Sequence, residues 1–526
     1  MTQVSRHIIK LEGWDNHWIF NGLNLRQSYN DHHMFELSVM VPHPGRKKGS
    51  PQTPALTSQS LTQILGKEIT LTIKAEGKNG ASCIFKGFVD QVSPMWTSRA
   101  CVLRIIGYSP EMFMDCGPRF RTFYQKSLSD IAQKIVGEYG SKLPPLNCNG
   151  AGAKIDFSVQ TQETDYRFLC RLADNYGKVF YYDGRQMQFG DLEKKDSANA
   201  IKIAFGEDLK QAGLSLNTAP LNFLLGAYEL EKSQLEYYRC VNECAGGGRL
   251  VSEVVQQSAV YPVSNIHLFN LTAGQTELSE KAKRLLAKQA HELVRISGVS
   301  DLPSLQIGSK INITNTPEIF GQGEYILIEV NHNVQNDHSY SNTFTAVPAG
   351  YPFPLRMQNA RNPLCGPLMA IVKDHDDPKK LGRVRVQFIG DEEKTLSPWL
   401  RVLTPYTGFG GMYWLPEPGD QVVVQSEDFN IEKFPYVDGA FYHGKADAAQ
   451  WHDPKNKKKG FTTEKVAFKI DDRSGKLTIE ADDIEIIARK KLKTKGDTAD
   501  HIAEQRMKID GGSHLGISAA RIDLNS

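Results

Sequence analysis

"QTQETDYRFLCRLADNYGKVFYYDG", from Gln160 to Gly184, places one Glu, three Asp, one Cys and four Tyr in a single short run. Composition alone invites an active-site reading, but spacing argues for scaffold. Leu169, Leu172, Ala173 and Tyr176 fall at i, i+3, i+4 and i+7, which is one face of a helix. Thr164 is placed as its N-cap, and Asp165 sits where the helix dipole favours negative charge. Gly177 is placed to end the helix in a left-handed cap. "KVFYY" then predicts a strand, "DG" a tight turn and "QMQF" the returning strand. Helix, cap and hairpin account for almost every residue, and the acids read as mostly capping, turn or surface groups.

Working outward, a helix is predicted from Arg119 to Gly140, where "SLSDIAQKIVGEYG" opens on a Ser/Asp cap and closes at Gly140. With the first stretch it makes an α/β unit over 111–190. Residues 1–110 alternate in the strand manner ("MFELSVMV", "KEITLTIKA", "SCIFKGFVDQVSP", "RACVLRIIGYSP") and predict a small antiparallel barrel or sandwich, interrupted by a polar loop at Gly49–Ser60. Residues 191–350 return to strands and hold one long helical run, "QTELSEKAKRLLAKQAHELVR". Its stripe is Leu278, Ala282, Leu285, Leu286 and Leu293, with Gln289 as the polar member. "GSKINITNT", "GEYILIEVNHNV" and "YSNTFTAVPAGYPF" follow as strands of a second barrel.

A Pro-rich aperiodic stretch, 351–366, reads as a linker. Residues 367–445 carry five or six short strands and have the size of a Greek-key OB-type barrel. The basic stretch 446–465 reads as a second linker. From 466 to 526 the strands become very short: "VAFKIDD", "GKLTIEA", "DIEIIAR", "MKIDGG" and "HLGISAARIDL". One chain cannot enclose a core with these, and no cysteine staples them. Winding several copies together would turn Ile470, Leu477, Ile479, Ile484, Ile486, Ile509, Leu515, Ile517, Ile522 and Leu524 toward a shared axis.

The 526 residues suit three or four domains at about 150 each. Lys plus Arg number 62 against 60 Asp plus Glu, a net charge of +2, which argues against a nucleic-acid coat or a strongly basic membrane binder. No run approaches the roughly 20 apolar residues of a membrane-spanning helix. "MTQVSRHIIKLEGWDNHW" lacks the apolar centre of a signal peptide, so the chain is expected to be made and folded in the cytoplasm. Cys83, Cys101, Cys116, Cys148, Cys170, Cys240, Cys244 and Cys365 form no CxxC pair and no zinc-finger spacing, so reduced thiols are expected.

The order of these segments resembles the VgrG-type spike proteins of contractile injection systems, which are similar to phage tail hub and needle proteins. "DDPKKLGRVRVQF", "SPWLRVLTPYTGFGGMYWLPEPGDQVVV" and "FPYVDGAFYHG" follow that family's pattern: a DP…GRV entry, a W-x-R-V strand, a Gly-rich fold-back and a P-x-x-GD strand start. "CIFKGFVDQVSP", "IGYSP", "QETDYRFLCRLADNYGKVFYYD" and "YILIEVNHNV…YSNTFTAVP" resemble its hub portion in order. The resemblance implies a mainly β protein with two hub β-barrels, an α/β insertion, an OB-type barrel and a C-terminal triple-stranded intertwined β-helix in a homotrimer. It implies a structural spike without cofactor. Two barrels per chain in a trimer would give six lobes to match an inner tube of hexameric rings. Other implied partners are baseplate and hub components, a PAAR-type tip protein, effector cargo and the target membrane on firing. The implied location is an injection particle assembled in the cytoplasm and delivered out of the cell or into a target.

Two rival readings belong to other classes. A needle-associated hydrolase needs room and a nucleophile–base motif. The interval Lys445–Glu464 is too short for an enzyme domain, the chain ends directly after "ISAARIDLN", and no GxSxG, HExxH or P-loop occurs. No catalytic, cofactor-binding or metal-binding residue is therefore expected. "DHDDP" (Asp374–Pro378) reads as a turn rather than a metal site, and His514 as a solvated histidine. An OB-fold nucleic-acid binder would stack bases on Trp399, Tyr406, Phe409, Tyr413 and Trp414. Glu417, Asp420, Glu427 and Asp428 lie among these aromatics, and no nucleic acid is expected.

Overall fold

The computed structural model describes residues 5–11, 18–29, 31–42, 56–75, 82–96, 100–152, 154–191, 200–229, 234–241, 248–268, 275–317, 320, 323–350, 364–426, 430–432 and 435–523. The chain divides into two compact units, Met1–His443 and Gly444–Ser526. It is mainly β, with 43% strand and 15% helix.

The first unit opens with β1 (Ser5–Leu11), β2 (Ile19–Ser28), β3 (Met34–Pro42), helix α1 (Ser58–Ile64), β4 (Glu68–Ala75), β5 (Ser82–Trp96) and β6 (Ala100–Tyr108). Alternation places them: Phe35, Leu37, Val39 and Val41 are buried, while Glu36, Ser38 and Met40 between them are half-buried. Strand approach is tight at Gly107, where a Cβ would stand 2.0 Å from the Phe88 carbonyl oxygen.

The α/β unit holds β7 (Arg119–Ser127), α2 (Leu128–Gly137), β8 (Leu146–Asn149), β9 (Lys154–Glu163), α3 (Asp165–Asn175), β10 (Val179–Tyr182) and β11 (Met187–Gly190). Ser127 caps α2 in a reciprocal box with Asp130. Thr164 caps α3 by accepting from the Arg167 N–H. Gly177, at φ 64°, lets the Lys178 N–H reach back to the Ala173 carbonyl at 2.7 Å, which closes the helix in a left-handed cap. One expectation is corrected here. Arg119–Ser127 is not helical but a strand, paired antiparallel with β9 from Arg119↔Glu163 to Ser127↔Lys154. Its Arg-Phe-Arg-Thr-Phe-Tyr alternation suits a ribbon, and the cap at Ser127 starts the helix later.

Then come β12 (Ile201–Ala204), β13 (Leu209–Leu216), β14 (Phe223–Glu229), β15 (Gln234–Cys240), α4 (Gly248–Gln257), β16 (Ser264–Leu268), α5 (Gln275–Ala290), β17 (Val294–Ser300), β18 (Lys310–Thr314), β19 (Glu324–Val334) and β20 (Tyr340–Pro348). Leu278, Ala282 and Leu286 of α5, with Leu293 just beyond it, face a small core shared with Phe223, Leu225 and Val251. The two strand groups read from the sequence share one hydrogen-bonded path, β1-β4-β5-β6-β3-β2-β19-β20-β17-β13. They meet where β19 pairs antiparallel with β2, from Glu329↔Ser28 to Val334↔Leu23.

At that seam His332 is fully buried. Its Nδ1 lies 2.7 Å from the Tyr340 hydroxyl and its Nε2 3.2 Å from Gln27 Oε1. The Gln27 oxygen can only accept, so Nε2 carries the proton, and the Tyr340 hydroxyl, which itself accepts from Asn342 at 2.8 Å, is placed to donate to Nδ1, as fits a neutral ring. Burial lowers His332 to about 3, and burial above all does the same to His33. The unfolded chain takes up these protons below its ordinary value of about 6.5, whereas the folded chain does so only near 3. Their contribution to stability is therefore complete above about pH 6.5 and falls as pH drops, by up to about 1.4 kcal/mol per pH unit for each histidine. Glu163, raised to about 7 chiefly by burial, works in the opposite direction over the upper part of that window. The useful measurement is thus a difference. Denaturant unfolding of His332→Gln between pH 7 and pH 5 is expected to show a shallower loss than the unaltered protein. Equal slopes would mean that the imidazole is not held neutral.

The linker 351–366 falls largely outside the described residues. Beyond it β21 (Leu368–Asp374), β22 (Arg383–Phe388), β23 (Leu400–Val402), β24 (Gln421–Gln425) and β25 (Tyr436–Phe441) close a five-stranded barrel in the order β21-β22-β23-β25-β24. Ala370, Val372, Val384, Val386, Leu400, Val422 and Val424 fill it.

The second unit holds an antiparallel sheet of β26 (Lys458–Thr462), β27 (Ala467–Asp471) and β28 (Lys476–Glu480). This corrects the linker reading of 446–465. "KKGFT" pairs with β27, and Phe461 stacks on Phe468 at 5.6 Å. Of the very short strands expected, only "VAFKIDD" and "GKLTIEA" form in one chain. "DIEIIAR", "MKIDGG" and "HLGISAARIDL" have no strand or helix among the described residues; Ile484, Ile486, Ile509, Leu515, Ile517 and Ile522 in them are exposed, and Leu524 lies outside the described residues. Strands need partners for their N–H and C=O groups, and a single copy supplies none for these segments.

Candidate functional site

The site that organises the first unit is a joint between the α/β unit and the five-stranded barrel. The β7–β9 ribbon lies against the barrel and completes its core. Val159 is buried among the barrel's valines, and Phe120 and Phe157 pack on Phe388 with ring centroids 6.2 and 6.4 Å away. The Arg385 guanidinium lies 5.2 Å from the Tyr124 ring centre and 5.9 Å from that of Trp399, within cation–π range.

Two buried arginines hold the polar part of the joint. Arg121 points from β7 into a cage of carboxylates: Asp165 Oδ1 at 3.0 Å, Glu138 Oε2 at 2.5 Å and Glu392 Oε2, from the barrel, at 3.3 Å. Asp165 also accepts from Gln160 and the Tyr139 hydroxyl, each at 2.7 Å. Arg119 binds Glu392 from outside at 2.6 Å, and that hydrogen bond holds the Glu392 carboxyl below the usual carboxylate range. Arg171 points from α3 to Glu163 at 2.6 Å and to Glu432, also from the barrel, at 2.8 Å. The other Glu432 oxygen accepts from Ser158 Oγ at 2.6 Å and the Val159 N–H at 2.7 Å. Asp391 accepts from both the N–H and the hydroxyl of Thr122, at 2.9 and 2.7 Å.

This arrangement fixes one domain on another, with its carboxylates taken up by arginines, hydroxyls and backbone N–H groups. Glu163 and Asp165, the acids that first suggested catalysis, are buried and engaged by arginine, so the reading of the acids as mostly capping and surface groups is corrected for these two. Asp165 does sit in the first turn of α3 as expected. The Cys170 thiol is fully buried, and burial pushes it well above its ordinary range. Arg121, Arg171, Asp391, Glu392 and Glu432 were not singled out from the sequence. The one local signal was Arg171, a charge one turn from Phe168 and flanked by Cys170 and Leu172, on the buried face of an amphipathic helix.

The other sequence candidates lie elsewhere. Asp377 of "DHDDP" accepts from the Lys379 and Leu381 N–H groups and from Arg383 at 2.6 Å, which makes a turn. Among the described residues no group of three His, Cys, Asp or Glu is arranged to hold a metal ion. His514 is exposed. Trp399 packs at the joint, whereas Tyr406, Phe409, Tyr413 and Trp414 stand out on the barrel surface. Glu427, Asp428 and Cys244 lie outside the described residues, and Cys83, Cys101, Cys116, Cys148, Cys170 and Cys365 carry free thiols. Among the described residues no helix is long and apolar enough to cross a membrane.

Comparison with known proteins agrees with this architecture. The family model for the phage tail baseplate hub (GPD) matches residues 33–338, and that for the type VI secretion system/phage-baseplate injector OB domain matches residues 368–442. The type VI secretion system spike protein VgrG3 of Vibrio cholerae serotype O1 is 22% identical over 420 residues, which take in 74% of this chain and 40% of that protein. The chain thus spans well under half the length of the curated relative it matches. Two solved structures share the fold. The E. coli c3393 protein, described as a component of the type VI secretion system similar to the T4 tail proteins gp27 and gp5, has a TM-score of 0.53 and 15% identity. It covers 82% of this chain and 100% of that one. The lidless Francisella PdpA-VgrG complex has a TM-score of 0.54 and 10% identity, covering 91% and 99%.

Proposed function

This chain belongs to the phage tail baseplate hub family and carries the hub-then-OB order of VgrG-type spikes, and on that premise we propose that three copies form the spike of a contractile injection machine. In this reading residues 1–350 are the hub, 367–445 the tapering OB barrel and 466–526 a needle of three intertwined strands. The hub seats on an inner tube of hexameric rings. The needle carries a PAAR-type tip protein or effector cargo and is driven through the target membrane on firing. The role is structural.

The observation that most supports this is the state of the tail in one chain. Ile484, Ile486, Ile502, Ile509 and Ile517 are 55, 69, 90, 65 and 67% exposed. Aliphatic groups repeated at such density need partner chains to cover them. The buried joint fits the same role, since a thrusting needle needs a stiff connection to its base.

The test is co-assembly. The purified full-length chain, mixed with tube protein from the same source, is expected to cap one end of each tube, with three copies per end by mass. Binding along the tube wall, or no binding, would remove the hub assignment.

A further inference from the structure

We propose that the basic run Arg489–Lys495 is a docking strip for a membrane surface rich in anionic phospholipid. The proposal deepens the spike reading, on which it rests for how the tail comes to meet a membrane. The binding step itself needs no tube.

The near-neutral total of the chain conceals a segregation of charge. Residues 466–526 hold eleven basic and eleven acidic side chains, yet five of the basic ones, Arg489, Lys490, Lys491, Lys493 and Lys495, fall in one short run. No acid occurs between Glu485 and Asp497. Elsewhere in the second unit cations are matched by nearby carboxylates. Lys465 meets Asp482 at 3.9 Å, Lys469 meets Glu480 at 3.6 Å and Lys508 meets Asp510 at 3.7 Å. The five of the run are all exposed, and among the described residues none of them has an ion-pair partner. Like charges packed this closely repel one another, and a multivalent anion from outside relieves them.

Spacing gives the strip a direction. Ile487, Arg489, Lys491, Lys493 and Lys495 stand two apart and share one face of an extended chain. Ile484 and Ile486, assigned above to the shared axis, take the opposite face. The needle reading therefore leaves four cations in an outer row, with Ile487, 76% exposed, at its end.

Lipid is the occupant because of composition. Apart from Arg489 the run is charged by Lys, a flexible point charge that asks for no fixed partner geometry and is depleted in protein–protein interfaces. Single-stranded nucleic acid calls for aromatic platforms, and no Phe, Trp or Tyr follows Phe468. A cationic row ending in an exposed aliphatic suits a sheet of phosphate headgroups over acyl chains.

The experiment follows co-sedimentation of the full-length chain with vesicles. These are phosphatidylglycerol and phosphatidylcholine in equal parts, or phosphatidylcholine alone, at low and high salt. Binding is expected only to the anionic vesicles and is expected to weaken as salt rises. Each cation at such a surface contributes about fivefold in affinity, so Lys491→Gln, Lys493→Gln and Lys495→Gln together should cost at least about a hundredfold. The comparison triple Lys465→Gln, Lys469→Gln and Lys508→Gln removes the same charge from paired positions and should cost less than about tenfold. All six side chains lie on the surface, so folding is not at stake. Equal binding to phosphatidylcholine alone, or an equal loss in both triples, would overturn the strip. Tighter binding to duplex DNA than to the anionic vesicles, lost in the first triple, would assign the strip to nucleic acid instead. Tube capping is scored separately. Capping without vesicle binding removes the strip alone, and vesicle binding without capping removes the spike reading.

Discussion

Arg171→Met is expected to destabilise the first unit by about 3–5 kcal/mol, the usual cost of removing one partner from a buried ion pair. The guanidinium is the shared counter-charge of Glu163 and Glu432, and its side chain is 1% exposed. Without it two carboxylates stay in a site built from Phe168, Val159 and the barrel core. Glu163→Gln should cost far less. Burial has already raised that carboxyl to about 7, so at neutral pH its protonated form is well populated and an amide resembles it. Because the folded value lies above the unfolded one, ionisation of Glu163 weakens folding as pH rises from about 4.5 to 7, and Glu163→Gln should flatten that component. Denaturant titration of the two variants at pH 7 checks the ranking, and equal costs would mean that the charges are not coupled. The double variant Arg171→Met, Glu432→Gln should recover part of the loss, since one stranded charge is gone.

The second large effect concerns the tail. The full chain is expected to be a trimer in solution, and a version stopped near Gly460 is expected to lose that state or hold it only at high concentration. Each aliphatic side chain moved from water into a shared interior is worth about 1.5–3 kcal/mol, and each copy offers nearly ten. Closing the prism would also leave no free strand edge. Ile517→Asp should weaken the trimer strongly. Arg521→Glu should matter much less, because Arg521 is one residue from Ile522 on its strand and in the single chain pairs with Asp523 at 2.9 Å. A monomeric full-length protein, or a tail digested as fast as an unfolded peptide, would defeat the reading.

What could be read from the sequence was whatever depends on near neighbours. Helices α2, α3 and α5 announced themselves through caps and a 3.6-residue period, and the barrel through five short alternating strands. The turn at Asp377 followed from Asp and Pro in order. Errors arose where a local signal was shared between structures. Arg119–Ser127 precedes a strong helix cap and was absorbed into the helix, although its own alternation is that of a strand. "KKGFT" looked like a polar linker because β26 is an edge strand with no buried face.

The joint was illegible for a different reason. Arg121 meets Glu392, and Arg171 meets Glu432, across 271 and 261 residues. No window on the sequence contains both partners. Arginine and glutamate on their own are ordinary surface residues, and only the fold turns them inward. The tail strands after Glu480 lie further still from any single-chain signal, because the partners proposed for them belong to other copies.

The β2–β19 seam sets a schedule for the ribosome. Gln27 and His332, which touch across it, are 305 residues apart. At about 5–20 residues per second, β2 waits roughly 15–60 s after leaving the exit tunnel before β19 arrives. During that interval its outer backbone groups form an open sheet edge next to a half-built apolar core. Folding of the hub is thus tied to the near-completion of its own synthesis. A messenger cut short inside residues 111–320 would release a sticky fragment rather than a smaller working domain. A cell making many copies at once would gain from a chaperone that shields the early strands until the late ones appear.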